Sequence, residues 1–175
     1  MEKETKLTHL DENGMPKMVD VSDKKDTVRT ASSHAKVTMS EEAFKLAVGG
    51  GGKKGDVFGT AKIAGIMAAK KTSELIPLCH PLNIEGCDIV FKPEEKKNSV
   101  DIISTVKISG KTGVEMESLT AASVAALTVY DMLKAADKSI EISDIYLIRK
   151  ESGTPALIDI AIPSPVFINA LVLEE

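Results

Sequence analysis

The chain has 175 residues, 43% hydrophobic and 27% charged, with a net charge of −4, a pI near 5.5, no tryptophan, two tyrosines and four phenylalanines. That length suits one domain, which buries about two thirds of the surface its unfolded chain exposes around a core that must be aliphatic. Bulk-charge binding of nucleic acid or membrane is excluded, the two cysteines are too few for a disulfide framework, and the weakly polar run 119–130 falls short of the roughly 20 residues of a membrane span.

The first residues, MEKETKLTHL, carry no apolar signal region, so a reduced, cytoplasmic protein is expected. Residues 1–17 are polar and read as mobile, and 18–22 (MVDVS) as a short lead or edge segment. Ser40 caps a predicted helix that opens with Glu41 and Glu42 against the positive end of the helix dipole, with Phe44, Leu46, Ala47 and Val48 as its apolar side. Gly49, Gly50, Gly51 and Gly52 end it and run into Lys53-Lys54-Gly55-Asp56. Asp56 caps a second predicted helix over 57–71, with Ile63, Ile66 and Met67 as its buried stripe and Lys70 and Lys71 at its C-terminal end. Glycines and lysines ahead of a helix N-terminus suit a phosphate, but no upstream glycine completes a Walker loop, and a solvated flexible loop is the competing reading.

Residues 75–82 (LIPLCHPL) form an apolar run with two prolines. Pro81 holds the His80 backbone extended, so the run is predicted to be a strand at a sheet edge or rim. A packed structural histidine is one alternative, and a metal site of Cys79, His80 and Cys87 is another, though it lacks CxxC or HxxxH spacing. Segments 88–92 and 99–108 read as strands around the charged turn PEEKKN, an antiparallel hairpin. The stretch 110–138 is a glycine-punctuated loop feeding a long helix, apolar from about Leu119 through Val124, Leu127, Met132 and Leu133. Ala121, Ala122, Ser123, Ala125 and Ala126 keep its middle thin, which predicts close packing and a central position. Packing does not account for Glu115, Glu117, Asp131 and Lys134. Asp131 and Lys134 share a helix face, where they either handle a proton together or form a surface pair worth at most about 1 kcal/mol. Residues 140–150 (IEISDIYLIRK) read as another strand, and the tail 155–175 as an edge strand or the cover of a subunit contact. The order predicts an α+β sandwich of the ferredoxin-like type, with helices on one face of an antiparallel sheet.

With Lys54, His80, Glu115, Met116, Glu117 and Asp131 in view, the chain resembles the cyclic pyranopterin monophosphate synthase family, protein C of molybdenum cofactor biosynthesis. The resemblance lies in MVDVSDKKDTVRTA, KKGDVFGTAKIAGIMAAKKTSELIPLCHPL and GKTGVEMESLTAASVAALTVYDMLKA, in that order. It implies an enzyme that takes 3′,8-cyclo-7,8-dihydro-GTP, rebuilds its ring system as a pyranopterin and closes a cyclic phosphate with loss of diphosphate. No metal or organic cofactor is implied. Substrate contacts are implied for Leu78, Cys79, His80, Met116 and Glu117, with Glu115, Arg29 and Lys150 also at binding positions, and catalytic places for Asp131, Lys134 and Lys54. Lysines and carboxylates suit a reaction that moves several protons, and Arg29 and Lys54 suit the triphosphate. Two departures stand out: Lys53 replaces the family's histidine, and after Lys150 the chain reads ESGTPALIDIAIPSP instead of a glycine-rich end. The resemblance also implies a homohexamer of three dimers with sites at the dimer contacts. The expected division is Arg29 and Lys150 reaching across from a neighbour, with His80, Glu117, Asp131 and Lys134 on one chain. A non-catalytic nucleotide-binding module on the same fold is the rival, and it has no use for Asp131 beside Lys134.

Overall fold

Small side chains alternate with polar ones along Thr27–Thr38 (β1), so that Ala31, Ser33, Ala35 and Val37 share one face and Ser32, His34 and Lys36 the other. Sequence patterning missed this strand, because its buried face is mostly alanine and serine instead of the branched and aromatic residues that mark strands. In the computed structural model, which describes residues 9–50, 55–152 and the backbone of 154–159, β1 is nevertheless the centre of the sheet. The other strands are Gly86–Glu94 (β2), Ser99–Gly110 (β3), Glu141–Ser152 (β4) and Thr154–Asp159 (β5). Their order is β2-β3-β1-β4-β5 with every pairing antiparallel. Helices connect β1 to β2 and β3 to β4, so the first four strands have the ferredoxin-like arrangement and β5 adds an edge.

Four α-helices, Glu41–Val48 (α1), Val57–Ala69 (α2), Thr72–Leu75 (α3) and Glu115–Leu133 (α4), and a 3-10 turn at Glu95–Lys97 complete the described fold. The expected caps are in place: the Ser40 hydroxyl accepts from Ala43 N, and Asp56 accepts from Gly59 N. In α4, Ala121, Ala122, Ala125 and Ala126 are fully buried, and the thin helix lies between α2 and the sheet strands β1, β3 and β4. Gly65 of α2 completes that approach. A Cβ there would sit 2.8 Å from the Ala121 carbonyl oxygen, so any larger residue forces the two helices apart. The core is accordingly aliphatic, built on Ile89, Ile102, Ile108, Val37, Val100, Val106 and Val129. No helix among the described residues is long and apolar enough to cross a membrane.

Among the boundaries that differ from the sequence pattern, three stand out. First, α4 begins at Glu115, one turn earlier than its apolar periodicity, so Glu115, Met116 and Glu117 are helical. Second, Leu75 closes α3 and residues 76–85 are irregular instead of forming a strand. Pro77 and Pro81 have no N–H to give to a ladder, which leaves the segment as a loop. Third, the helix expected over 57–71 stops at Ala69, with α3 following. Of the two readings of the tail, residues 154–159 take the edge-strand one beside β4, and residues 160–175 lie outside the described residues.

On the sheet face away from α4, His34 is 4% exposed and packs against Tyr146, with ring centroids 4.9 Å apart and the planes tilted by 33°. Its Nδ1 donates to the Asp144 carbonyl and its Nε2 lies 2.9 Å from Asp101 Oδ1. Asp144 has φ +53 beside an irregularity in the β1–β4 ladder, so the histidine tethers a bulge that only a short polar residue or glycine adopts easily.

Asp137 fastens the turn after α4 to the start of α1, accepting from Ser139 Oγ, Ser40 N and Ser139 N. These donors, the Ser139 hydroxyl first, lower its pKa to about 2. Its folded value is below the unfolded one of about 3.9, so the stability it contributes is present above that value and lost as the pH falls through about 2. Asp137→Asn is expected to melt a few degrees below wild type at pH 7, with the gap closing as melts are repeated toward pH 2. A gap that stays constant with pH rules out the carboxylate as its cause.

Candidate active site

The sheet ends that carry the start of β1, the end of β3 and the end of β4 meet at the N-terminus of α4, and the loop 76–85 lies alongside. A cavity of about 410 Å³ opens there, and Leu78, Cys79, His80, Met116 and Glu117 all line it. Glu115 and Gly113 also line it and form a wall shared with a second cavity of about 140 Å³, where Arg29 and Lys150 are found. Lys150 Nζ pairs with Glu115 Oε1 at 2.9 Å. Gly113 permits this contact, because a Cβ on it would lie 2.7 Å from the Glu115 carboxyl carbon and push the carboxylate away from Lys150.

The electrostatics follow from position. Val114 offers no side-chain cap, so the first turn of α4 presents free N–H groups and favours acids. Glu117 is nonetheless only 4% exposed, and burial raises its pKa, with the neighbouring Glu115 charge adding to the effect and a backbone N–H opposing it. A carboxyl with its proton held more tightly than usual can give and take that proton nearer neutrality. Burial, and then the charge of Glu117, also raises the Cys79 thiol pKa, which favours neutral S–H over the nucleophilic thiolate. Among the described residues no group of three histidine, cysteine, aspartate or glutamate side chains is placed to hold a metal ion. In the smaller cavity, Arg29 Nε is buried without a hydrogen-bond partner among the described residues. A guanidinium in a cavity wall is a natural partner for an anionic oxygen.

Asp131 and Lys134 stand elsewhere. They form an ion pair at 2.6 Å near the C-terminal end of α4, both well exposed, with the lysine pKa raised by the aspartate. At roughly 1.5 Å of rise per residue they lie about 24 Å and about 28 Å along the helix from Glu115. Within one chain they line neither cavity. Within one chain, Arg29 and Lys150 lie beside Glu115, because β1 and β4 both end near the start of α4, whereas Asp131 and Lys134 are remote from it. Lys54, with Lys53, lies outside the described residues.

The cavity also has walls that sequence patterning did not supply. His9, Val19, Val21 and Lys24 line it from the N-terminal segment, and Thr112 from the turn before α4. The alternation of half-buried Val19 and Val21 with exposed Met18, Asp20 and Ser22 was the legible signal of a covering strip.

Comparison with known proteins agrees with this site. Residues 18–153 match the model of the MoaC family. A cyclic pyranopterin monophosphate synthase from Heliobacterium modesticaldum is 55% identical over 147 residues, covering 84% of this chain and 92% of its own. Synthases of the same name from Staphylococcus carnosus, 51% identical over 150 residues, and Geobacillus thermodenitrificans, 51% over 149, cover 85% and 84% of this chain and 93% and 92% of their own. The matched span takes in every segment that lines the two cavities except His9, and on that extent of identity the chain belongs to the MoaC family.

Proposed function

We propose that the protein is a cyclic pyranopterin monophosphate synthase of molybdenum cofactor biosynthesis, converting 3′,8-cyclo-7,8-dihydro-GTP to cyclic pyranopterin monophosphate with release of diphosphate. The observation that carries this is the convergence of Leu78, Cys79 and His80 with Met116 and Glu117 on one cavity of about 410 Å³, a size that holds a nucleotide-like molecule. The names of the relatives supply the reaction. Glu117, buried and holding its proton tightly, is the cavity's proton-handling group, and Arg29 and Lys150 take the phosphates in the adjoining space. Lys54 acts with them on the substrate, and no metal or organic cofactor takes part.

Asp131 and Lys134 serve a site built from two copies of the chain. Their distance from Glu117 along α4 supports this, since an acid and a base must come within hydrogen-bond reach of the substrate to act on it. The assembly is a homohexamer of three dimers working in the cytoplasm, where the free thiols Cys79 and Cys87 stay reduced. The decisive assay supplies the cyclised nucleotide to purified protein and measures pterin product and diphosphate. Equal amounts of both are expected. Binding of the nucleotide by folded protein without either product leaves the non-catalytic module as the better account.

A further inference from the structure

On the sheet face that α4 covers, Ser33 of β1 and Ser104 of β3 stand directly opposite one another in the ladder, and both are fully buried. Their neighbours on that face are Ala31 and Ala35 in one strand and Ile102 and Val106 in the other, so packing by itself asks for apolar residues here. A hydroxyl buried in such surroundings is costly unless it is hydrogen-bonded. Both serines bond to a single residue of α4. Ser104 Oγ donates to the Ser118 carbonyl at 2.6 Å, while the Ser33 hydroxyl bonds the Ser118 hydroxyl, which lies 3.4 Å from the Glu115 carbonyl as its donor. Ser118 is fully buried as well, so two adjacent strands grip one residue, the first by its side chain and the second by its backbone. The grip falls on the first turn of a helix to which Val114 gives no side-chain cap. Ser118 follows Glu117 directly and comes one turn after Glu115, and both of those carboxylates line the larger cavity.

Resting on the functional reading above, we propose that Ser33 and Ser104 are positioning residues for the reaction, which hold the first turn of α4 to the sheet through Ser118 and so fix where the Glu117 carboxyl stands in the cavity. Neither serine lines either cavity, so their effect on turnover passes through the helix. A group that moves a proton must stay within hydrogen-bond reach of the reacting atom, and a displacement of about 1 Å costs up to about 100-fold in rate. The two buried hydroxyls thereby serve a carboxylate that they do not touch.

The test measures kcat and KM for the cyclised nucleotide, and hydrogen exchange over residues 115–121, in full-length variants. Ser99→Ala is the control, because Ser99 is a fully buried serine of the same strand as Ser104 whose Oγ has no hydrogen-bond partner among the described residues. Ser104→Ala is expected to lower kcat about tenfold with KM within about twofold, and to speed exchange over 115–121 about tenfold. Ser33→Ala should do the same by a smaller factor, and Ser99→Ala should change neither quantity. In a Glu117→Gln background Ser104→Ala should lower kcat no further, since the group it positions is gone. Ser104→Cys keeps the volume and a weak donor, so it should fall between wild type and Ser104→Ala, and it carries the test if the alanine variant does not fold. Unchanged kcat in Ser104→Ala, an equal loss in Ser99→Ala, or a full further loss in the Glu117→Gln background each overturn the positioning role, even where exchange responds. Unchanged kcat in Ser33→Ala alone removes Ser33 from it. Exchange that responds to Ser104→Ala and not to Ser99→Ala, in a protein that makes no pterin, would refute the synthase reading and leave the grip on α4 standing. Pterin formation with kcat and exchange both indifferent to Ser104→Ala would refute the grip alone.

Discussion

Mixing Lys134→Ala protein with Glu117→Gln protein is expected to restore turnover to about a quarter of wild type, although each variant by itself falls at least about 100-fold below it. The two residues lie toward opposite ends of α4, too far apart to meet one substrate in a single chain. On the two-copy reading, each site of a symmetric dimer takes Glu117 from one copy and Lys134 from the other. Random pairing of equal amounts makes half the dimers mixed, and each mixed dimer holds one intact site and one with both lesions. A control pairs Lys134→Ala with Asp131→Asn, whose lesions lie on the same end of the same helix, and here no activity should return. Exchange is verified with differently tagged subunits. Verified exchange without recovery in the first mixture means each site is built from one chain, and the two-copy reading fails. Lys134→Ala itself should leave Tm nearly unchanged, because the exposed pair it breaks contributes little to folding.

Glu117→Gln should lose activity and gain stability together. Burial raises the carboxyl's folded pKa above its unfolded value, so its contribution to stability is fully present below the unfolded value and lost as pH rises through the folded one. At neutral pH a buried ionised group therefore costs stability, and the neutral amide removes that cost while filling nearly the same volume. The expected result is a Tm at pH 7 at or above wild type, with the difference shrinking as pH is lowered toward 4, and kcat/KM down by about 100-fold or more. The wild-type pH profile should also carry an ionisation above the ordinary glutamate range that is missing from the variant. Near-normal turnover in Glu117→Gln removes the residue from proton transfer, whatever its effect on stability.

How much of this was legible beforehand differs by kind of residue. Ser40 and Asp56 announced two helix starts, because a short polar side chain that accepts from the next turn is a local device. The hairpin β2–β3 was legible because strand alternation and its turn are both local, down to Asn98 in the left-handed region closing the turn. The alanines of α4 announced a helix in tight contact, which the fold confirms. By contrast β1 carried too little apolar contrast to be noticed, since its inner face against α4 is mostly alanine and serine, and the closeness of α4 is a tertiary fact.

The motifs around His80 and Glu117, taken alone, determined which residue types were set apart from packing and that they belong to one family of chains. Sequence could not say which of them share a cavity, because residues far apart along the chain meet only when the strands pair. Folding decided that Arg29 and Lys150 stand with Glu115, since antiparallel pairing brings the start of β1 against the end of β4 next to the first turn of α4. It also decided that Asp131 and Lys134, neighbours of Glu117 in the same helix and the same motif, are kept from it by the rigid rise of that helix.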